Sequence, residues 1–402
     1  MANKRSGNKQ QVANSPSSLS YKGLLRSGRL WLTLAGCLFC AVVIYMSDLA
    51  SVGLASHFDV ERARVVSVPD TNLRADLYMP TVYVGTQRVL LEIGSGRFAG
   101  EQIEIIHNIT RFENLHVRDG MEVLVSILPD VDYLSDYHMS VYGPSRGPVL
   151  LGAVGLLLVS MLIMGRAKGF FAAIALGFTL ITVLFFMVSF IVRGHSPVVF
   201  SLITAVLTTA YTLFMVSGVS RQSLAAVAGT WIGLVFAGLL SVLLGQLGNV
   251  SGLHLEDARQ MLYHSPPDVF LRIPEMFFAG VIIAASGVVV DAAMSISSAV
   301  FEIKEQSPGI SARRLYKSGM TIGGDIMGAN SNTLILAFTG ASLPTVILVV
   351  LFGFTPLRVM GLDFVAVEII QSVSATMGMI FAIPATALFS AWLATYYDKR
   401  RT

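Results

Sequence analysis

Asp291 sits inside an apolar run, with Gly287-Val288-Val289-Val290 before it and Ala292-Ala293-Met294 after it. A carboxylate deep in a membrane helix costs about 2.5–3.5 kcal/mol on insertion scales unless it is paired, hydrated or protonated. Such an acid can take up and release a proton as its surroundings change, which is the chemistry of proton-driven transport. At about 100° per residue, Ser295, Ser298 and Glu302 share its side of the helix. At about 1.5 Å per residue this stripe runs ~16 Å, from mid-membrane to the cytoplasmic mouth. The opposite side carries Val288, Val289, Ile296 and Val300, suited to lipid or to packing.

Two later apolar stretches add further polar groups. One opens with Asp325 and carries Asn330, Asn332 and Thr333; the other begins near Glu368 and continues with Gln371, Ser372, Ser374 and Thr376. Pro384 is expected to kink the latter. The earlier apolar stretches bring almost none. Two readings stand: the polar groups glue helices together, or they line a proton or substrate path. In the second, Asp291 exchanges the proton, Glu302 and Asp325 mark the inner mouth, and Glu368 marks the outer one.

Other chemistry is sparse. Cys37 and Cys40, the two cysteines, both fall in an apolar stretch, so neither a disulfide framework nor a cysteine-based zinc site exists. His254, Glu256, Asp257, His264 and Asp268 cluster, but their spacing matches no zinc pattern and also reads as an amphipathic surface helix. The apolar runs contain no Ser-His pair, His-Glu-x-x-His or protease-like paired aspartates. The expectation is a protein that is not an enzyme, with no cofactor or metal and no nucleic-acid partner.

The elements that position these groups must be membrane helices. Of 402 residues, 54% are hydrophobic and 13% charged, about half the ~25% charged content of a soluble domain. Runs lacking Asp, Glu, Lys and Arg cover 30–47, 147–165, 169–192, 194–220, 222–255, 276–290, 326–357 and 369–397, the sixth continuing past Asp291 to 301. A span needs about 20 such residues, so eight transmembrane helices are expected: an N-terminal anchor, then a seven-helix bundle.

Orientation follows from the basic residues. Lys4, Arg5, Lys9, Lys22, Arg26 and Arg29 place the tail in the cytoplasm. Alternating sides then puts Arg166, Lys168, Arg221, Lys304, Arg313, Arg314, Lys317, Lys399, Arg400 and Arg401 inside, and only Arg193, Arg259, Arg272 and Arg358 in short outer loops. Both termini are therefore expected inside. Leu34-Ala35-Gly36-Cys37 resembles a bacterial lipobox, but apolar residues continue through Tyr45, favouring an uncleaved anchor.

The organisation is then a basic tail (1–29), an anchor helix (30–50), an extracytoplasmic segment (51–147) and the bundle (148–402). In the outer segment, Gln102-Ile103-Glu104-Ile105 and 121–127 alternate as half-buried strands do, with turns at Gly94-Ser95-Gly96 and Arg118-Asp119-Gly120. A small β-barrel or β-sandwich of five or six strands is expected, its last strand over 138–142. In the fifth span Gly229, Gly233, Ala237, Ser241 and Gly245 recur every four residues, a seam along which another helix can approach closely, within one chain or between two.

Three stretches carry a resemblance: Gly287-Val288-Val289-Val290-Asp291-Ala292-Ala293-Met294-Ser295-Ile296; Gly324-Asp325-Ile326-Met327-Gly328-Ala329-Asn330-Ser331-Asn332-Thr333-Leu334-Ile335-Leu336-Ala337-Phe338; and Ala382-Ile383-Pro384-Ala385-Thr386-Ala387. The seven-helix part resembles the YibE/F family, in its longer form with an anchor and outer β domain. The resemblance implies a multi-pass protein of the bacterial cytoplasmic membrane, often encoded beside a shorter relative. Pairing with such a relative, or self-association, follows as an expectation. It implies no settled function. Gly287-x-x-x-Asp291-Ala292, Glu302-Ile303-Lys304 and Asn330-x-x-Thr333-Leu334-Ile335 also resemble the last three helices of SecD/SecF translocase subunits. That likeness implies export or remodelling of an extracytoplasmic polymer or peptide. The chain departs from it in helix count, and in the gap between Asp325 and Asn330.

Overall fold

In a computed structural model, residues 28–47, 59–128, 139–253, 256–264 and 271–396 are described. The chain divides into two compact units, Ala50–Gly165 and Met1–Leu49 with Arg166–Thr402. The basic residues at positions 4–26 and 399–401, His138, His254 and Asp268 lie outside the described residues, and only the backbone of Glu256, Asp257 and His264 is described.

The first unit is built on β1 (Asp59–Ala75), β2 (Tyr83–Ile93), β3 (Gln102–Ile109), β4 (Glu122–Ile127) and β5 (Met139–Pro144). All neighbours are antiparallel, in the order β3-β2-β1-β4-β5. Period-two alternation sets the buried face: Val123, Val125 and Ile127 of β4 meet Val89, Leu91 and Ile93 of β2 and Ala63 and Val65 of β1. The register of β1 against β2 shifts on either side of Ser67. Such bulges bend a strand and raise its twist, and the two edge strands β3 and β5 come into contact. The result is a half-barrel of five strands; the described residues hold no second sheet to make a sandwich.

Two polar clamps hold the half-barrel's connections. Gln87, buried on β2, accepts from the Val117 N–H (2.9 Å) and donates to its carbonyl (3.2 Å), as a paired strand would. Asp76 takes a bidentate bond from Arg111 and also accepts from the N–H groups of Tyr78 and Met79. Arg111, followed by these backbone donors, holds the Asp76 carboxyl below the usual carboxylate range.

Downstream, α2 (Gly147–Ile181) breaks at Arg166, whose φ of 48° and ψ of −125° leave the helical region. The first unit ends at that break. A single residue therefore separates two helical segments where the sequence suggested a short loop through Lys168. Past the break, α2 runs through one π-helical turn, Thr182–Met187, into α3 (Val188–Val192).

The helical unit also contains α1 (Gly28–Ser47), α4 (Pro197–Ser217), α5 (Arg221–Leu247), α6 (Glu256–His264), α7 (Ile273–Gln306), α8 (Ala312–Ala341), α9 (Leu343–Leu351), α10 (Pro356–Met360) and α11 (Asp363–Tyr396). On α1, Gly36 lies against Tyr211 of α4, whose ring stacks on Phe178 at 3.9 Å. Arg193 donates to the carbonyls of Met46 (2.9 Å) and Ser47 (3.1 Å), satisfying oxygens that the end of α1 leaves unbonded.

Among the described residues, six helical stretches are long and apolar enough to cross a membrane, and α8 with α9 makes a seventh if that bent pair is one span. The expected span 326–357 is corrected in two ways. Helix α8 starts earlier, at Ala312, because Arg313, Arg314, Lys317 and Asp325 interrupt an apolar run without breaking a helix. It then ends at Ser342 and the chain turns by 62° into α9. Pro344 in the first turn of α9 has no N–H to continue the ladder, so the two segments part there. Pro384, by contrast, lies inside the uninterrupted α11.

Two measurements on the intact chain check the half-barrel. Gln87→Leu leaves the buried Val117 N–H unpaired and should destabilise this unit by about 1–3 kcal/mol in denaturant unfolding. Because the Asp76 pKa is lowered on folding, its stabilisation is present at neutral pH and is lost as pH falls below about 4 through the lowered value. Asp76→Asn should therefore lower the thermal midpoint at pH 7, with the gap to wild type closing in acid.

Candidate functional site

The helical unit is organised around α11, which touches α5, α7 and α8. Its approach to α5 is close enough to exclude side chains. A methyl group on Gly233 would stand 2.6 Å from the Gly378 carbonyl oxygen and 2.7 Å from the Ala382 methyl. One on Gly229 would collide with Thr386, and one on Gly378 would stand 2.6 Å from the Ala237 methyl. Gly245 faces Phe278 of α7, and Ser241 is buried with its hydroxyl on the Gly238 carbonyl. The four-residue seam of Gly229, Gly233, Ala237, Ser241 and Gly245 is thus a contact within this chain, to α11 and α7.

On α7 the buried face includes Val289, Ala292, Ala293, Ile296, Ser297 and Val300. Asp291, Ser295, Ser298 and Glu302 lie together on the other side, and all four are exposed. The stripe therefore points out of the helical unit. The reason is geometric. Positions 289, 293, 296 and 300 fill the contacts with α4, α5, α8 and α11, so residues half a turn away face none of the described helices. Among the described residues nothing lies within hydrogen-bonding or ion-pair reach of the Asp291 carboxyl. Gly280 and Gly287, on the same outward side, also have open space where a Cβ would be.

Helix α8 repeats the pattern. Leu315, Gly319, Gly323 and Leu334 face inward, while Thr321, Gly324, Asp325, Gly328, Asn332 and Thr333 are exposed and Asn330 is half-buried. Thr333 donates to the Ala329 carbonyl of its own helix. The two helices run antiparallel, and their depth is fixed by two contacts: Gly319 against Val300, 3.0 Å from a Cβ placed there, and Gly323 against Ile296, at 3.3 Å. Counting outward from those pairs puts Asp291 level with Gly328, Ser295 with Gly324, and Ser298 with Thr321. Gly324 and Gly328, like Gly287, have nothing within contact of an added methyl.

Glu368 stands apart, in the second turn of α11, with one carboxylate oxygen buried and unbonded among the described residues. Sequence reasoning passed over two other acids that organise the same end of the unit. Asp363 accepts from the Ser251 hydroxyl (2.9 Å) and the Gly252 N–H (3.1 Å), fixing the loop after α5 to the start of α11. Glu275 bonds Ser196 at 2.5 Å and pairs with Arg272 at 3.2 Å, joining the starts of α4 and α7. Both were legible as acids in a helix's first turn, where the dipole favours them. Among the described residues, no group of three or more His, Cys, Asp or Glu could hold a metal ion.

A comparison with known protein families matches residues 153–396 to the one described as YibE/F-like protein. No curated protein and no solved structure gives a match.

The two classes of glycine make opposite predictions in thermal unfolding of the detergent-purified chain. Gly233→Ala should lower the midpoint through overpacking worth about 1–3 kcal/mol. Gly328→Ala, which meets nothing, should leave the midpoint unchanged or raise it, since alanine favours a helix over glycine by about 1 kcal/mol.

Proposed function

The chain belongs to the YibE/F-like family, and from that premise we propose that it is a transport-type subunit of the bacterial cytoplasmic membrane whose polar path is completed by a second helical chain. In this reading it crosses the bilayer eight times. The stretch Gly147–Val192, 46 residues long, would extend ~69 Å at 1.5 Å per residue, over twice the ~30 Å hydrocarbon layer. It therefore supplies two crossings divided at Arg166. With α8 and α9 counted as one broken span, both termini are cytoplasmic and the half-barrel is outside, as the basic residues favour.

One observation carries the reading: the carboxylates of Asp291, Glu302 and Asp325 stand on outward faces of adjacent helices, among glycines and hydroxyls. A lipid-facing helix surface is normally bulky and apolar. Charges in spans turn instead toward bundle interiors or water-filled cavities, and small residues mark places where helices meet. A further family chain, either the shorter relative or another copy, would enclose this surface and leave Asp291 in a confined polar seam. There it can exchange a proton as the two chains move. The likeness to SecD/SecF supports export of an extracytoplasmic polymer or peptide, handled by the half-barrel. No cofactor and no enzymatic step are part of the proposal.

Single cysteines test it in a background with Cys37 and Cys40 replaced. Ser295→Cys and Gly328→Cys should cross-link in native membranes to a partner chain, whose mass distinguishes the relative from a second copy. Asp291→Asn should keep that assembly yet abolish pH-gradient-dependent export. Labelling of both positions by lipid-phase reagents without any cross-link would sink the enclosed path, and normal export by Asp291→Asn would leave only a scaffold.

A further inference from the structure

The bend between α8 and α9 leaves a half-open cavity of about 430 Å³ against the first turns of α11, with Ile335, Val346, Val350 and Ile369 of its lining exposed. Its walls are largely apolar, with Phe338, Val346, Val349 and Phe364 among them. Among the described residues Glu368 is the one carboxylate lining it; the residue is half-buried, and its Oε2 is inaccessible to solvent with no hydrogen-bond partner. The volume is that of a small-molecule site, where apolar walls and a few polar groups are the usual composition.

We infer that this cavity binds a lipophilic organic monocation, a quaternary ammonium or phosphonium with an apolar body, whose charge is met by Glu368. An ionised carboxylate withdrawn from water needs an opposite charge or hydrogen-bond donors. An apolar guest lacking charge would fill the walls and leave that need unmet. A hard metal cation fits no better, because it requires about six oxygen ligands and the site offers one carboxylate and scattered hydroxyls. The hydroxyl of Ser342, at the bend, is already spent on the Phe338 carbonyl. An organic cation needs no ligand shell, and aromatic side chains, which attract cations, are present in the lining as Phe338 and Phe364. Arg358, a cation near this end of the unit, stands 4.0 Å over the Phe354 ring instead of against Glu368. The site does not depend on the outward stripe of α7 and α8, so either reading can fail alone.

Tetraphenylphosphonium and tetraphenylborate, near-identical in shape and opposite in charge, are the probes. Their binding to the full-length detergent-purified chain is read by equilibrium dialysis against empty micelles. The phosphonium should bind saturably at one site and at least about tenfold more tightly than the borate. Glu368→Gln should erase that preference while leaving the thermal midpoint intact, and Val349→Trp, which fills the cavity, should remove binding of both ions. Equal affinity for the two ions, or a preference that survives Glu368→Gln, overturns the inference in favour of a lipid-filled groove.

Discussion

Between helices surrounded by lipid there is no hydrophobic drive toward association, so this helical unit depends on how closely two backbones approach at the α5–α11 crossing. The glycines at 229, 233 and 378 make that approach possible, and α11 then presents Ile383 and Ala387 to the glycines of α8. Hydroxyls along the crossing do little to join the helices. Thr230, Ser241 and Thr386 each bond a carbonyl of their own helix, which satisfies the group without reaching across. Between α7 and α5, by contrast, the Ser297 hydroxyl donates to the Gln222 carbonyl at 2.8 Å. Dispersion between small surfaces, accumulated along the crossing, is the main cohesive term.

That economy of packing decides where polar groups end up. Once Val289, Ala292, Ile296 and Val300 are committed to the contacts with α5, α8 and α11, a helix of 3.6 residues per turn must carry 291, 295, 298 and 302 to the far side. The acidic stripe and the packed stripe are consequences of one another. The same holds on α8, where packing through 315, 319 and 323 sends 321, 325, 328 and 332 outward. Polar glue between helices of this chain is therefore not what these residues provide.

Much of this was legible in the residues, and the limits have physical causes. Charge-free runs located helix interiors well, because insertion favours apolar side chains. They mislocated ends, because helices continue into polar flanks: α7 runs on through Glu302, Lys304 and Glu305 to Gln306, and α8 opens on Arg313 and Arg314. The break at Ser342 had its signal in Pro344, masked by apolar residues on both sides. Strands β3 and β4 declared themselves by alternation, whereas β1 hid behind its bulges, where the two-residue period slips. One-sidedness of the Asp291 stripe followed from helical geometry alone. Its direction did not, because a small or polar face looks the same in sequence whether its neighbour belongs to the same chain or to something outside it.

The glycines bear on that ambiguity. Those at 229, 233, 319, 323 and 378 are pressed against neighbours, while those at 280, 287, 324 and 328 have open space around them. A glycine inside a helix forgoes about 1 kcal/mol relative to alanine, and facing lipid it would return nothing for that loss. The open glycines lie on the side that carries Asp291 and Asp325, with Gly328 level with Asp291 itself. Bulky residues there would hold an approaching helix away from the carboxyl; glycines let its backbone and side chains come within bonding reach. The acid creates the need for a polar neighbour, and the missing side chains beside it give that neighbour access. In the proposed reading the two features describe one surface, which none of the described helices covers and a helix of a second chain would.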